Sequence, residues 1–237
     1  IKIFLHISKK RQLKVIRDRD RNKADRWVIA SEVRDQHKSY GKYRKAVNRA
    51  IRETSVEGAR WTAIAAEDRD VARLEVFRTV LGHFPTSVTV VTAIDGAGKP
   101  VGLTIGSFVS VSLDPPLVGF LPQTNSDTWR AIEASGRFVV NDLSCTQGDL
   151  CWNFAKSGNE DERFTDVGWT PAPSGAPIID GAMAWIDCTI EAVHEMGDHY
   201  FVLGRDGALD SVEPATEDDG DPLIFFKGKL GRFVPVG

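Results

Sequence analysis

From Ser87 to Phe233 the sequence is a succession of short apolar and β-branched runs cut by turn-forming residues, and this rhythm narrows the fold more than any other feature of the chain. The run Ser87-Val88-Thr89-Val90-Val91-Thr92-Ala93-Ile94 carries residues that suit a pleated, half-buried surface and reads as a strand. Asp95-Gly96-Ala97-Gly98 follows as a hairpin turn. Further strands are predicted over 101–105, 108–113 and 117–121, the last two parted by the breaker Asp114-Pro115-Pro116. Others follow over 137–141, 183–194, 200–208, 223–226 and 230–233. Two helices interrupt them: 127–134, with Ser126 as its N-cap, and 145–154. A Gly/Pro-rich stretch over 157–176 reads as a loop. Many short strands with turns between them predict a mainly β fold, a β-barrel with two small helices.

Residues 1–75 follow a different pattern. Ile1 to Ile7 reads as one buried strand, and Ser8 caps a helix over 9–17 with Leu13 and Ile16 inward. A second helix is predicted over 40–54, with Tyr43, Ala46, Val47, Ala50 and Ile51 at helical spacing. A short strand over 61–64 and a helix over 66–80 complete the segment. This order is an incomplete α/β segment. Charge divides in the same place. Residues 1–75 hold 20 Lys and Arg against 11 Asp and Glu, a net of +9, and the rest hold 10 against 22, a net of −12. Two domains are therefore expected, 1–74 and 75–237, joined between Ala72 and Val80.

Several functions are excluded by what is missing. No apolar run approaches the length of a membrane span, so no membrane partner is expected. The apolar start is short and leads into Lys9-Lys10-Arg11, the wrong order for a secretory signal. Cys145, Cys151 and Cys188 are too few and too spread for a disulfide framework, and a reducing, cytoplasmic location is expected. The basic residues of the first segment are interleaved with acids and lack a nucleic-acid motif, so no nucleic-acid partner is expected. Gly96-Ala97-Gly98-Lys99-Pro100-Val101-Gly102 fails as a dinucleotide loop, because its third Gly is one position late and a strand follows it. There is no Gly-x-Ser-x-Gly elbow, and the five histidines show no paired metal spacing, so no metal is expected.

The stretches IKIFLHISKKRQ (1–12), the Trp27 region, YGKYRKAVNRAIRETS (40–55) and ARWTAIAAEDRDVARLEV (59–76) resemble the C-terminal part of the P-loop polyphosphate kinases. Phosphoryl transfer in that class needs a glycine-rich loop ending in Gly-Lys and a carboxylate for Mg²⁺. Gly41-Lys42, Gly98-Lys99 and Gly228-Lys229 all lack the earlier Gly and the following Ser or Thr. The segment is expected to be a non-catalytic kinase-like fragment, and a polyphosphate- or nucleotide-binding adaptor is disfavoured for the same reason.

The second segment carries FRTVLGHFPTSVTVVTA (77–93), GLTIGSFVSVSLDPPLVGF (102–120), NSDTW (125–129), RFVVNDLS…Q (137–147), FA…ERF (154–164), GAMAWIDC (181–188), GDHYFVLGR (197–205) and PLIFFKGKLGRF (222–233). In this order the motifs resemble the flavin reductase family, the split-barrel partners of two-component flavin monooxygenases. Two positions depart from the family pattern: Ser87, usually Gly, and Phe225-Phe226, where an aromatic hydroxyl is common. The resemblance implies a Greek-key, flavin-binding split β-barrel that pairs as a homodimer and supplies reduced FMN or FAD to a monooxygenase. NADH or NADPH would be the hydride source.

The residue types suit that chemistry. Thr104, Ser107, Ser110 and Ser112 offer hydroxyls and Gly106 lets backbone approach a flat ring. The resemblance runs Gly106, Ser107, Phe108, Ser110 and Val111 along the isoalloxazine and ribityl chain and adds Phe154 to the cofactor set. Asn125, Ser126 and Thr128 precede or begin a helix, where backbone N–H groups favour a phosphate. Plain β-propensity and a plain helix cap would select some of the same residues. The resemblance also places His199 beside the nicotinamide, with Asp198 as its orienting partner, and these two are the catalytic candidates. A non-catalytic flavin- or heme-binding split barrel is the alternative, and Gly197-Asp198-His199 favours the reductase.

Overall fold

The computed structural model describes residues 1–21, 31–213 and 220–234. The chain forms two compact units, Ile1–His83 and Phe84–Gly237. The Trp27 region lies outside the described residues.

In the first unit, strand β1 (Lys2–His6) leads to helices α1 (Lys9–Arg21), α2 (Ser31–Lys38) and α3 (Tyr40–Thr54), then to β2 (Trp61–Ala65) and α4 (Arg69–Leu81). β1 and β2 pair in parallel, which requires the helical crossover between them. Ile16 is buried as expected and Leu13 is half-buried. The expected inner face of α3 is different: Tyr43, Ala46 and Ala50 are exposed, and only Val47 and Ile51 are half-buried. The spacing is right, but a two-stranded sheet offers that face little to cover it. α2 was not foreseen, because its polar sequence carries no apolar stripe. α4 runs unbroken across the expected join at 74/75, capped by Asp68, whose carboxylate accepts the N–H groups of Asp70 at 2.9 Å and Val71 at 3.1 Å.

The second unit begins with β3 (Thr86–Ser87), β4 (Thr89–Ile94), β5 (Pro100–Ile105), β6 (Val109–Leu113) and β7 (Pro116–Phe120). Helix α5 (Asp127–Ser135), β8 (Arg137–Asp142), a 3₁₀ turn at Cys145–Gln147 and α6 (Gly148–Ala155) follow. Then come β9 (Trp169–Pro171), β10 (Pro177–Ile179), β11 (Ala184–Met196), β12 (His199–Ser211), β13 (Leu223–Phe226) and β14 (Lys229–Arg232). Seven strands form one antiparallel sheet in the order β5-β4-β8-β11-β12-β7-β6, so β5 and β6 are its edges and the ladder does not close into a barrel. The expected mainly β class with few helices holds. The stretch 157–176 is less irregular than its Gly and Pro content suggested, since β9 pairs with β10.

Turn chemistry sets the hairpins. Asp95 Oδ1 accepts the N–H groups of Ala97 and Lys99, both at 2.8 Å, and closes the β4–β5 turn. Met196 pairs with His199, leaving Gly197 and Asp198 as a two-residue loop, and Gly197 has φ +70°, as a type II′ turn needs at its first central position. The main core joins Val91, Leu103, Phe120, Phe138 and Val202 from five strands to Trp129 and Ile132 on α5. Contributions from strands at both ends of the sheet to one core mean that the sheet curls around α5. Asn141, fully buried, spends its amide on Val90 O and Thr92 Oγ1, both at 3.1 Å, and accepts the N–H of Ile179 at 2.8 Å, which fastens β10 to the sheet.

Candidate active site

Three segments converge where β7 ends. The β5–β6 loop brings Gly106, exposed, and Ser107 and Phe108, half-buried. Phe108 leans on the main core. Ser107 Oγ accepts the N–H of Leu121 at 2.9 Å, so this hydroxyl binds the β5–β6 loop to the segment that leads into α5. That segment, Leu121 to Ser126, then meets the β11–β12 hairpin tip. Tyr200 donates its N–H to Pro122 O at 2.9 Å, and Gln123 bridges His199. Thr124 donates to Asp198 O from its N–H at 3.0 Å and from its hydroxyl at 3.2 Å. A continuous hydrogen-bonded path therefore runs from Ser107 to His199, joining the flavin candidates to the nicotinamide candidates.

His199 Nδ1 lies 2.8 Å from Asp198 Oδ1. An ionised carboxylate only accepts, so Nδ1 carries the proton and Nε2 is left for the far side of the ring. The hydrogen bond from His199, followed by its charge, holds the Asp198 carboxyl below the usual carboxylate range. Asp198 is almost fully exposed and His199 one-third exposed. The pair is thus an oriented imidazole at a solvent-facing hairpin tip.

Ser126 caps α5, its Oγ accepting the N–H of Trp129 at 3.2 Å. The N–H groups of Asp127 and Thr128 lie at the open end of the helix, as those of a first turn do. Asn125 is exposed beside them. Ser110 and Val111 are exposed on the edge strand β6, and Gly119 on β7 leaves room for the Val111 side chain and the Phe201 ring, which a Cβ there would meet at 3.0 and 2.7 Å.

Three candidates occupy other positions. Thr104 Oγ1 donates to Cys151 O at 2.8 Å and ties β5 to α6. Thr128 is only 9% exposed, and its hydroxyl accepts a hydrogen bond from Arg163 at 3.1 Å. Phe154 is 1% exposed, set edge-on to Phe164 at 5.0 Å between centroids and packed over Gly102, so its ring belongs to the core. Arg163 was not foreseen. Its guanidinium is buried and donates to Gly102 O at 2.7 Å and Lys156 O at 2.6 Å as well as to Thr128. Burial pushes the Arg163 pKa down, and Glu160 opposes the shift. Thr124 and Gln123 were also missed, since backbone contacts between distant loops leave no periodic signal.

The remaining set suits a flavin: Gly106, Ser110, Val111 and Asn125 are exposed and Ser107, Phe108 and Ser126 half-buried, on an edge strand and loops beside the open N-terminus of a helix. Asp127 is the discordant member, placing a carboxylate in the turn that would face a phosphate.

Comparison with known proteins identifies the family. Residues 81–233 match the sequence profile of the Flavin reductase like domain, and residues 1–91 that of polyphosphate kinase 2. A flavin reductase from Pseudomonas putida is 42% identical over 176 residues, spanning 74% of this chain and 99% of its own. The reductase subunit HsaB of a flavin-dependent monooxygenase from Rhodococcus jostii is 44% identical over 174 residues, 73% of this chain and 83% of that protein. The crystal structure of nitrilotriacetate monooxygenase component B from Mycobacterium thermoresistibile is 42% identical, with a TM-score of 0.65 over 70% of this chain and 89% of that one. A profile covering every strand of the β unit and relatives matched over most of their own length have one meaning: the chain belongs to the flavin reductase family.

Proposed function

We infer that the chain is an NAD(P)H-dependent flavin reductase, and the observation that carries this reading is the hydrogen-bonded path linking Ser107, the loop into α5 and the Asp198–His199 pair. A bound FMN or FAD would supply the acceptor for a hydride from NADH or NADPH. The chain's contribution is placement, because hydride transfer needs donor carbon and acceptor nitrogen close and aligned. Gly106, Ser107, Ser110 and Val111 would hold the flavin ring and ribityl chain, and the N-terminus of α5 with Asn125 and Ser126 would receive its phosphate. His199, held by Asp198, would position the nicotinamide.

The reduced flavin passes to a partner monooxygenase, a reading supported by the reductase subunits among the relatives. The chain works in the cytoplasm, where reduced nicotinamides are available. No helix among the described residues is long and apolar enough to cross a membrane. We also infer a two-fold homodimer. Edge strand β6 presents Val109, Val111 and Leu113 to solvent, the last 90% exposed, and an apolar edge of this kind calls for a partner.

Residues 1–74 are read as a kinase-like fragment without catalysis, joined to the reductase domain, 75–237. At the C-terminal ends of β1 and β2, where an open α/β sheet receives ligands, the chain's own carboxylates hold the helix N-termini. Glu67 accepts the N–H of Ser8 before α1, and Asp68 caps α4. A phosphate would meet like charge at both positions.

Oxidation of NADH or NADPH by the purified chain should depend on added FMN or FAD. Flavin binding without nicotinamide oxidation would instead favour a non-catalytic flavin carrier.

A further inference from the structure

The β11–β12 hairpin outruns its neighbour in the sheet. β7 pairs with β12 only from Val202 opposite Phe120 onward to Arg205, so His199 and Tyr200 extend beyond the end of that ladder. The loop 122–124 continues it irregularly, through Tyr200 N–H to Pro122 O and the Gln123–His199 bridge. Backbone groups of any residues could make these bonds. The hydroxyl of Thr124 is the addition that depends on side-chain identity. It donates to Asp198 O at 3.2 Å, the same carbonyl that takes the Thr124 N–H at 3.0 Å, which a carbonyl with two lone pairs can do. The tip itself is otherwise open to solvent, with residues 195–198 all exposed.

We propose that Thr124 is a positioning residue for the reductase reaction: its hydroxyl fixes the Asp198–His199 tip against the loop that opens α5, and so places the nicotinamide-side imidazole relative to the flavin-side residues Asn125 and Ser126. The proposal rests on the assignment of His199 to the nicotinamide. The Thr124 hydroxyl acts through Asp198 O, on the hairpin tip, so its loss is expected to change the handling of the nicotinamide and spare that of the flavin.

The test uses the full chain with Thr124→Val, which keeps the shape and the N–H but removes the hydroxyl donor, Thr124→Ser, which restores it, and His199→Ala. FMN affinity is read by fluorescence titration, and KM and kcat are read for NADH and NADPH. Thr124→Val should leave FMN affinity within about twofold and raise the nicotinamide KM about three- to tenfold, the worth of one hydrogen bond. Thr124→Ser should return KM to within about twofold of the parent. An unchanged KM in Thr124→Val, a parallel loss of FMN affinity, or a Ser variant no better than Val would overturn the proposal. His199→Ala separates the two levels. If it raises the nicotinamide KM while Thr124→Val does not, the role of Thr124 falls alone. If His199→Ala leaves that KM unchanged, the nicotinamide assignment falls and the role of Thr124 falls with it.

Discussion

Asp127 sits in the first turn of α5, where partial positive charge gathers and where the flavin phosphate is assigned. Its carboxylate suits the helix but repels a phosphate. Asp127→Asn should therefore tighten FMN binding by about 0.3–1 kcal/mol, the usual size of a charge effect at a helix end. Riboflavin, which has no phosphate, should bind both forms equally in the same fluorescence titration. Equal tightening of both would move the phosphate elsewhere. Cys188 gives a pH prediction. Burial, with help from Asp206 and Asp187, raises its thiol from 9.0 to about 12. Above pH 9 the unfolded chain loses this proton while the folded chain keeps it, so stability falls as pH rises. Urea unfolding should show wild type losing up to about 1.4 kcal/mol per pH unit relative to Cys188→Ala between pH 9 and 11. Single residues were legible unevenly. His199 and Asp198 were reached only through the family resemblance of Gly197-Asp198-His199, since a lone His between two strand patterns carries no signal of its own. The burial of Thr128 and Phe154, both read as ligand contacts, was not legible, because it depends on Arg163 and Gly102, far away in sequence.

Helix α5, strand β5 and the turn after α6 are held together by one buried guanidinium. Arg163 joins Thr128, Gly102 and Lys156, and among the described residues it is the sole buried cation. Arg163→Met keeps the apolar stem but leaves two carbonyls and a hydroxyl without their donor. It should destabilise by about 2–4 kcal/mol in urea unfolding, with Arg163→Lys recovering only part, since an ammonium cannot reach all three acceptors in one plane. A change below 0.5 kcal/mol would show that these acceptors find other donors. Elements were more legible than residues. Strands β4 to β8 lie within two residues of their expected bounds, because alternation and turn residues act locally. The β9–β10 pair was not legible, since its pairing is fixed by Asn141 on β8 rather than by its own Gly- and Pro-rich sequence. The exposed face of α3 was equally hidden, because periodicity shows which face is apolar and not whether anything covers it.

At the scale of the whole molecule, the charge division at residue 75 and the structural division after His83 mark nearly the same place. Each unit is internally hydrogen-bonded, and every site candidate belongs to the second. Deleting residues 1–72 should therefore leave flavin reduction largely intact, within about threefold in kcat/KM for NAD(P)H, a change of less than about 0.7 kcal/mol. A truncated chain that folds and binds flavin but has lost reduction would give the first unit a role in catalysis. The central claim is direct hydride transfer at the junction of Ser107, the α5 loop and His199. Its most direct measurement is an anaerobic single turnover of the full chain, mixing the flavin-bound protein with NADH or NADPH and following the visible flavin absorption. The account predicts bleaching of one flavin per nicotinamide oxidised, at a rate that slows when deuterium replaces the transferred hydrogen at C4. Flavin that stays oxidised beside unreacted nicotinamide, with both bound, would contradict it.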